Sequence, residues 1–236
     1  MLMSDAWYAP KPPLSGKDYW FAVLRKQPSA ILLAMQIFAI VLLPWLEGRL
    51  WGRLVFVVVS FFAVTVAAYV TRSTRTLTWL ALIIGVPSVG LEAWSVLEPD
   101  HTVVGVVAHL GLAIFYLYVA FGLVSYVFSD NWVTSDELFA VGAAFTVLLF
   151  GFAYLFLAVQ FAWPGSFIGH SEGDRRSFLE LLYFSAANLT SVGLSDVGAV
   201  RPHARAATII EQLTGVMYIA MVISRLVALT VAKARR

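Results

Sequence analysis

Long apolar runs and short polar breaks alternate along this chain. The apolar runs cover residues 30–46, 54–70, 77–97, 102–128, 138–163 and 206–232. A bilayer crossing takes about 20 mostly apolar residues in a helix. The six runs therefore predict six transmembrane helices, the first two of them short. None shows the period-two alternation of a membrane barrel, and the other fold that satisfies every backbone group in lipid is the helix. The expected fold class is an all-α membrane protein with six transmembrane helices.

One break between runs is long. Residues 164–205 separate the fifth run from the sixth. This region opens with the polar "PGSFIGHSEGDRR", turns apolar at "SFLELLYFSAANL" and ends in "TSVGLSD". The apolar part is too short to span a bilayer. Non-helical backbone at membrane depth persists only where protein buries it or where it lines a watery cavity. The pattern predicts a re-entrant helix that enters, stops and leaves through the loop 190–196.

Composition agrees with a membrane setting. Of 236 residues, 60% are hydrophobic and 13% charged, with a mean hydropathy of +0.82. Soluble domains run at roughly half and a quarter. There is no cysteine, so disulfides, thiol catalysis and cysteine metal sites are excluded. A net charge of +2 gives no reason to expect nucleic acid. Lys11, Lys17, Arg25 and Lys26 precede the first run, Arg72 and Arg75 follow the second, and Lys233, Arg235 and Arg236 come last. Basic residues favour the cytoplasmic side, which predicts both termini inside. Arg49, Arg53 and the acidic "SDNWVTSDE" loop count against that orientation. The N-terminus lacks an apolar core near Met1, so no cleavable signal peptide is expected. Its "DYWFAVLRK" stretch reads as an interfacial helix or as a solvated linker.

In order and spacing, "LLYFSAANLTSVGLSDVGAVRPHARAATIIEQLTGVMYIAMVISRLVAL" resembles the pore module of the potassium-channel superfamily: outer helix, pore helix, filter, inner helix. The resemblance covers residues 136–232. It implies an aromatic cuff at Tyr183 and Phe184, and a filter at Thr190, Ser191, Val192, Gly193, Leu194, Ser195 and Asp196. It also implies a gating hinge at Gly215. Such filters replace the ion's water with rings of backbone carbonyls from four chains, closed inside by hydroxyls. The implied assembly is a homotetramer, and the implied ion is K+, or Na+ if selectivity is weakened. Leu194 and Ser195 stand where the family signature has Tyr and Gly, and Ala187 where some members have a glutamate. Phe184 cannot donate a hydrogen bond to Asp196. If position 195 needs a left-handed backbone, serine there costs about 1–2 kcal/mol per chain. Replacing Ser195 by Gly and Leu194 by Tyr is then expected to raise potassium selectivity.

Other polar residues carry less. The fourth run, "TVVGVVAHLGLAIFYLYVAFGLVSYVF", contains no arginine, so a voltage sensor of the arginine type is not expected. Four residues follow Ala232, so neither is a cytosolic gating domain. Glu92 and His109 lie within apparent spans; a pH-sensitive pair and a pair of snorkelling residues both remain open. Glu211 and Gln212 are expected to pack behind the pore loop, and Arg225 to snorkel toward the inner interface. "HSEGDRR" lacks metal-ligand spacing. No phosphate loop, zinc motif or serine elbow is present, so no catalytic residue, cofactor or enzyme activity is implied.

The resulting division places an N-terminal cytoplasmic segment at 1–28, a four-helix transmembrane domain at 29–128 and a pore domain at 136–232. Within the pore domain the outer helix is expected over 136–163, the pore helix over about 176–188, the filter over 190–196 and the inner helix over 204–232. The function implied is a cation-conducting channel in the lipid bilayer of a plasma membrane of bacterial inner-membrane type. The alternatives are a non-selective monovalent cation channel and a non-conducting regulatory subunit.

Overall fold

The computed structural model describes residues 27–46, 51–52, 55, 59, 75–98, 101–128, 135–170 and 175–234. Its helices are α1 (Pro28–Leu46), α2 (Arg75–Leu97), α3 (Thr102–Val127), α4 (Ser135–Ala162), α5 (Phe178–Leu189) and α6 (Pro202–Ala234). Between them sits an antiparallel pair of two-residue strands, β1 (Phe167–Ile168) and β2 (Gly198–Ala199). Phe167 pairs with Ala199 and Ile168 with Gly198.

By length and composition, four helical stretches among the described residues can cross a membrane: Pro28–Leu46, Thr102–Val127, Asp136–Ala162 and Pro202–Arg225. The third apolar run forms α2, of which Leu82–Leu97 is a shorter apolar helix. The run at 54–70 lies almost wholly outside the described residues, as does the N-terminal segment with its interfacial stretch. The chain is thus a helical membrane protein with four membrane-length helices described.

Helix α4 is the hub, packing against α1, α3, α5 and α6, while α2 packs on α3. Lipid offers no hydrophobic drive for helices to associate, so close packing of small residues has to supply it. The α3–α4 pair shows this: Ala108, Ala113 and Ala120 on α3 and Ala140, Ala143, Ala144 and Ala153 on α4 are all buried. Between them Tyr116 stacks on Tyr154 at 5.5 Å and on Phe150 at 5.8 Å. The arginine-free helix is therefore packed directly along α4.

At one end of the bundle Asp136 ties three helices together. Ser29 donates its backbone N–H to Oδ1 at 3.0 Å and its hydroxyl to Oδ2 at 2.9 Å. Tyr126 donates to Oδ2 at 3.1 Å. The carboxylate thereby satisfies an open donor at the α1 N-terminus, the end where negative charge is favoured. Elsewhere, His109 Nε2 on α3 lies 3.2 Å from Glu92 Oε2 on α2, with both side chains largely buried. The two residues whose pairing the sequence left open do meet.

Among the described residues, helix α6 presents a narrow stripe to the rest of the chain. Ala204, Ala207, Thr208, Glu211, Gly215 and Tyr218 are buried, at helical spacing. Ile209, Ile210, Leu213, Val216, Met217 and Ile223 are exposed.

Candidate functional site: a short helix and the loop beyond it

The start of α5 is fixed from both sides. Ser177 is the N-cap: its hydroxyl accepts the Glu180 N–H at 3.2 Å, and the Glu180 carboxylate accepts the Ser177 N–H at 2.7 Å. Two open helix-start donors are satisfied reciprocally. One residue earlier, Gln160 on α4 brackets the backbone of Arg176, accepting its N–H and donating to its carbonyl, each at 2.9 Å. Phe178 then packs against Tyr154 at 4.8 Å.

The far end of α5 is held by α6. Ser185 Oγ lies 2.5 Å from Glu211 Oε1 and 3.1 Å from the Leu149 carbonyl, joining α5, α6 and α4. Gln212 donates to Asn188 Oδ1 at 2.8 Å, and Asn188 donates to the Phe184 carbonyl at 2.8 Å. Gly215 sits one turn further along α6, where any Cβ would collide with the Leu189 backbone. Glycine is needed there for close approach, and α6 continues unbroken through it. Glu211 and Gln212 do pack behind the loop.

Helix α5 stops at Thr190, whose hydroxyl turns back to the Ala186 carbonyl at 2.6 Å. Two backbone bonds fold the next residues against the helix end: Ser191 N–H to the Asn188 carbonyl at 3.0 Å, and Gly193 N–H to the Ala187 carbonyl at 2.9 Å. Left-handed φ values occur at Ser191 (60°) and Gly193 (71°), two residues apart. Glycine takes this conformation without cost. Ser191 takes it at about 1–2 kcal/mol, and such strain persists only where surrounding contacts enforce it. The Val192 and Leu194 side chains are 61% and 71% exposed, so none of the described residues covers them.

One sequence expectation changes here. The left-handed serine is Ser191, and Ser195 has no positive φ. The Cβ penalty expected at Ser195, and with it the reason for replacing that residue by glycine, is therefore removed. Ser195 instead donates its N–H to the Gly193 carbonyl at 3.2 Å and accepts the Val197 N–H on its hydroxyl at 3.1 Å. The two aromatics of the expected cuff differ in exposure, as adjacent helix positions lie about 100° apart. Phe184 is buried against Phe156 (5.1 Å) and Phe167 (5.6 Å), whereas Tyr183 is half exposed. Asp196 is exposed at the loop's end.

Beyond the loop, Val197 is buried and β2 pairs with β1, with Val200 N–H bonded to the Ser166 carbonyl at 3.0 Å. The rim is basic and aromatic. His203 stacks on Trp163 at 4.0 Å, Arg175 lies over Phe161 at 4.1 Å, and Arg205 donates to the Ala199 carbonyl at 3.2 Å. Sequence reasoning missed Gln160, Ser177, Ser185 and Asn188 as supports of the site. The Ser-x-x-Glu pattern at 177–180 was a readable signal for the N-cap; the other three have none without knowing which helices touch.

The site thus consists of a short helix whose C-terminal end, with its partial negative charge, faces a partly strained loop that is exposed among the described residues. No curated protein and no solved structure matches this chain. Residues 142–232, which run from within α4 through α5 and the loop into α6, match a family model described as an ion channel.

Proposed function

We propose that four copies of this chain surround a common axis with residues 190–196 and conduct monovalent cations through it, with K+ as the leading permeant ion. The observation that carries this reading is the exposed loop with its left-handed residues at Ser191 and Gly193, at the C-terminal end of a helix held between two membrane-length helices. Alternate left-handed positions bring successive carbonyls toward one side, as a ring of carbonyl ligands requires. One chain supplies one loop, so the ring needs copies. The ion-channel match over residues 142–232 supports the same reading.

Thr190 and Ser191 are the proposed inner end of the filter, Val192 and Gly193 its centre, and Leu194, Ser195 and Asp196 its outer mouth. In this arrangement Tyr183 faces a neighbouring copy. Gly215 is kept as the hinge candidate, beside its packing role against Leu189. Both termini are placed on the cytoplasmic side of a plasma membrane. A bi-ionic reversal potential, measured on purified protein in liposomes, tests the proposal. A reversal shifted toward the potassium equilibrium supports it in full. Equal sodium and potassium permeability reduces it to a non-selective cation channel, and absence of flux points to a non-conducting subunit.

A further inference from the structure

Ser195 occupies the position where the family signature has glycine, yet its backbone needs no glycine. Its two bonds face opposite ways along the chain. The N–H reaches back to Gly193 at 3.2 Å, and the hydroxyl holds Val197 N–H ahead of it at 3.1 Å. Each of those partners is itself anchored. Gly193 N–H is bonded to Ala187 on α5 at 2.9 Å. The Val197 side chain is buried, and the next two residues form β2 against β1. Between the anchors, the Leu194 side chain is 71% exposed among the described residues. Ser195 is therefore the link that joins the helix-held half of the loop to the hairpin-held half.

We infer that Ser195 is a positioning residue for ion selectivity: its hydroxyl, by holding the Val197 amide, fixes the outer mouth of the loop where an aromatic anchor is missing. This deepens the channel reading and rests on it. Carbonyl ligands discriminate between ions only when their spacing is restrained, whether by cavity size or by the field of the dipoles. A loop freed at its outer end relaxes around either ion. Alanine at 195 removes the acceptor and leaves the Val197 N–H without this partner. Glycine does the same and adds backbone freedom. Threonine keeps the hydroxyl.

The sequence alone suggested that replacing Ser195 by Gly together with Leu194 by Tyr raises selectivity, whereas the tether predicts that glycine at 195 by itself lowers it, so the single replacements decide. The wild-type full-length protein and its Ser195→Ala, Ser195→Gly and Ser195→Thr variants are reconstituted in liposomes, with assembled protein quantified for each. The potassium-to-sodium permeability ratio is expected to fall about fivefold in the alanine and glycine variants, roughly the worth of one hydrogen bond, and to be retained by threonine. Amide hydrogen exchange gives an independent reading: exchange at Val197 accelerates by a similar factor with alanine and is restored with threonine. An unchanged or raised ratio with glycine, or a parent that does not distinguish the two ions, overturns the role of Ser195 alone. Unchanged Val197 exchange overturns the tether whatever the flux. No flux from the parent overturns the channel reading and the selectivity role with it.

Discussion

Helices α4 and α6 are both apolar enough to cross a membrane, but they spend that apolarity differently. In α4 more than half of the membrane-length apolar stretch is buried by the described residues; in α6 the share is little more than a quarter. Helix α4 touches four other helices, and its small residues let α3 lie close. Helix α6 commits a single stripe, and within that stripe much of the contact is specific: Glu211 to Ser185, Gln212 to Asn188 beside it, and Gly215 to Leu189. The difference separates two jobs. The α3–α4 pair holds the described helices together, whereas α6 bonds to the end of α5 and leaves much of its described surface exposed.

The largest effect is expected where the two jobs meet. A methyl group at Gly215 pushes α6 away from the Leu189 backbone. Overpacking of this kind costs about 1–3 kcal/mol or more, which in a chain of this size lowers the thermal midpoint by several degrees at about 2–4 °C per kcal/mol. Gly215→Ala should show that loss in differential scanning fluorimetry and should lose flux as well. A stable, fully conducting Gly215→Ala protein would mean that the α5–α6 contact does not set the loop.

Next comes the clasp behind the loop. Ser185→Ala strips the carboxyl of Glu211, which is fully buried, of its partner at Oε1. Leaving a buried polar group without a partner costs about 1–3 kcal/mol. The same fluorimetry should register it, and Ser185→Thr should lose less. In the other region, Ala143→Leu forces a larger side chain into the buried face of α4 at a cost of about 1–3 kcal/mol. It should lower the thermal midpoint and leave ion selectivity untouched in the protein that still folds.

The smallest effect on the single chain is expected on the uncovered side of α6. Truncating Ile210 or Leu213 to alanine removes side chains that are 58% and 60% exposed. Such surface changes usually stay within about 0.5 kcal/mol. If these residues face other copies, native mass spectrometry should show weaker assembly at nearly unchanged chain stability. Equal loss of both would erase the contrast with α4. Voltage should also have little grip on open probability, since α3 carries no arginine to move through the field. A steep charge–voltage relation would contradict that.

How much of this was legible depends on what kind of signal each feature leaves. Long apolar runs announce helices, because burying a backbone in lipid leaves few alternatives, so α1, α3, α4 and α6 lie where the runs do. The short helix α5 lies within the apolar stretch between the polar loop and "TSVGLSD". Helix pairing leaves no such trace. Ala143 on α4 and Ile210 on α6 are both apolar letters, yet one is fully buried and the other 58% exposed. In a membrane chain the usual contrast of polar and apolar faces is gone. Backbone handedness is equally hidden: the Gly at 193 points to a left-handed residue, but nothing in the letters moves the second one from Ser195 to Ser191. Two-residue strands such as β1 and β2 carry no periodicity at all.

The central claim is that residues 190–196 face a shared axis, and imaging the assembled protein tests it most directly. Single-particle electron microscopy of the full-length protein in lipid nanodiscs containing potassium should show fourfold symmetry. The loop should line the axis, with density for ions between the backbone carbonyls around Ser191, Val192 and Gly193. Particles that are monomeric or twofold, or fourfold particles with this loop on the outer perimeter, would contradict the account.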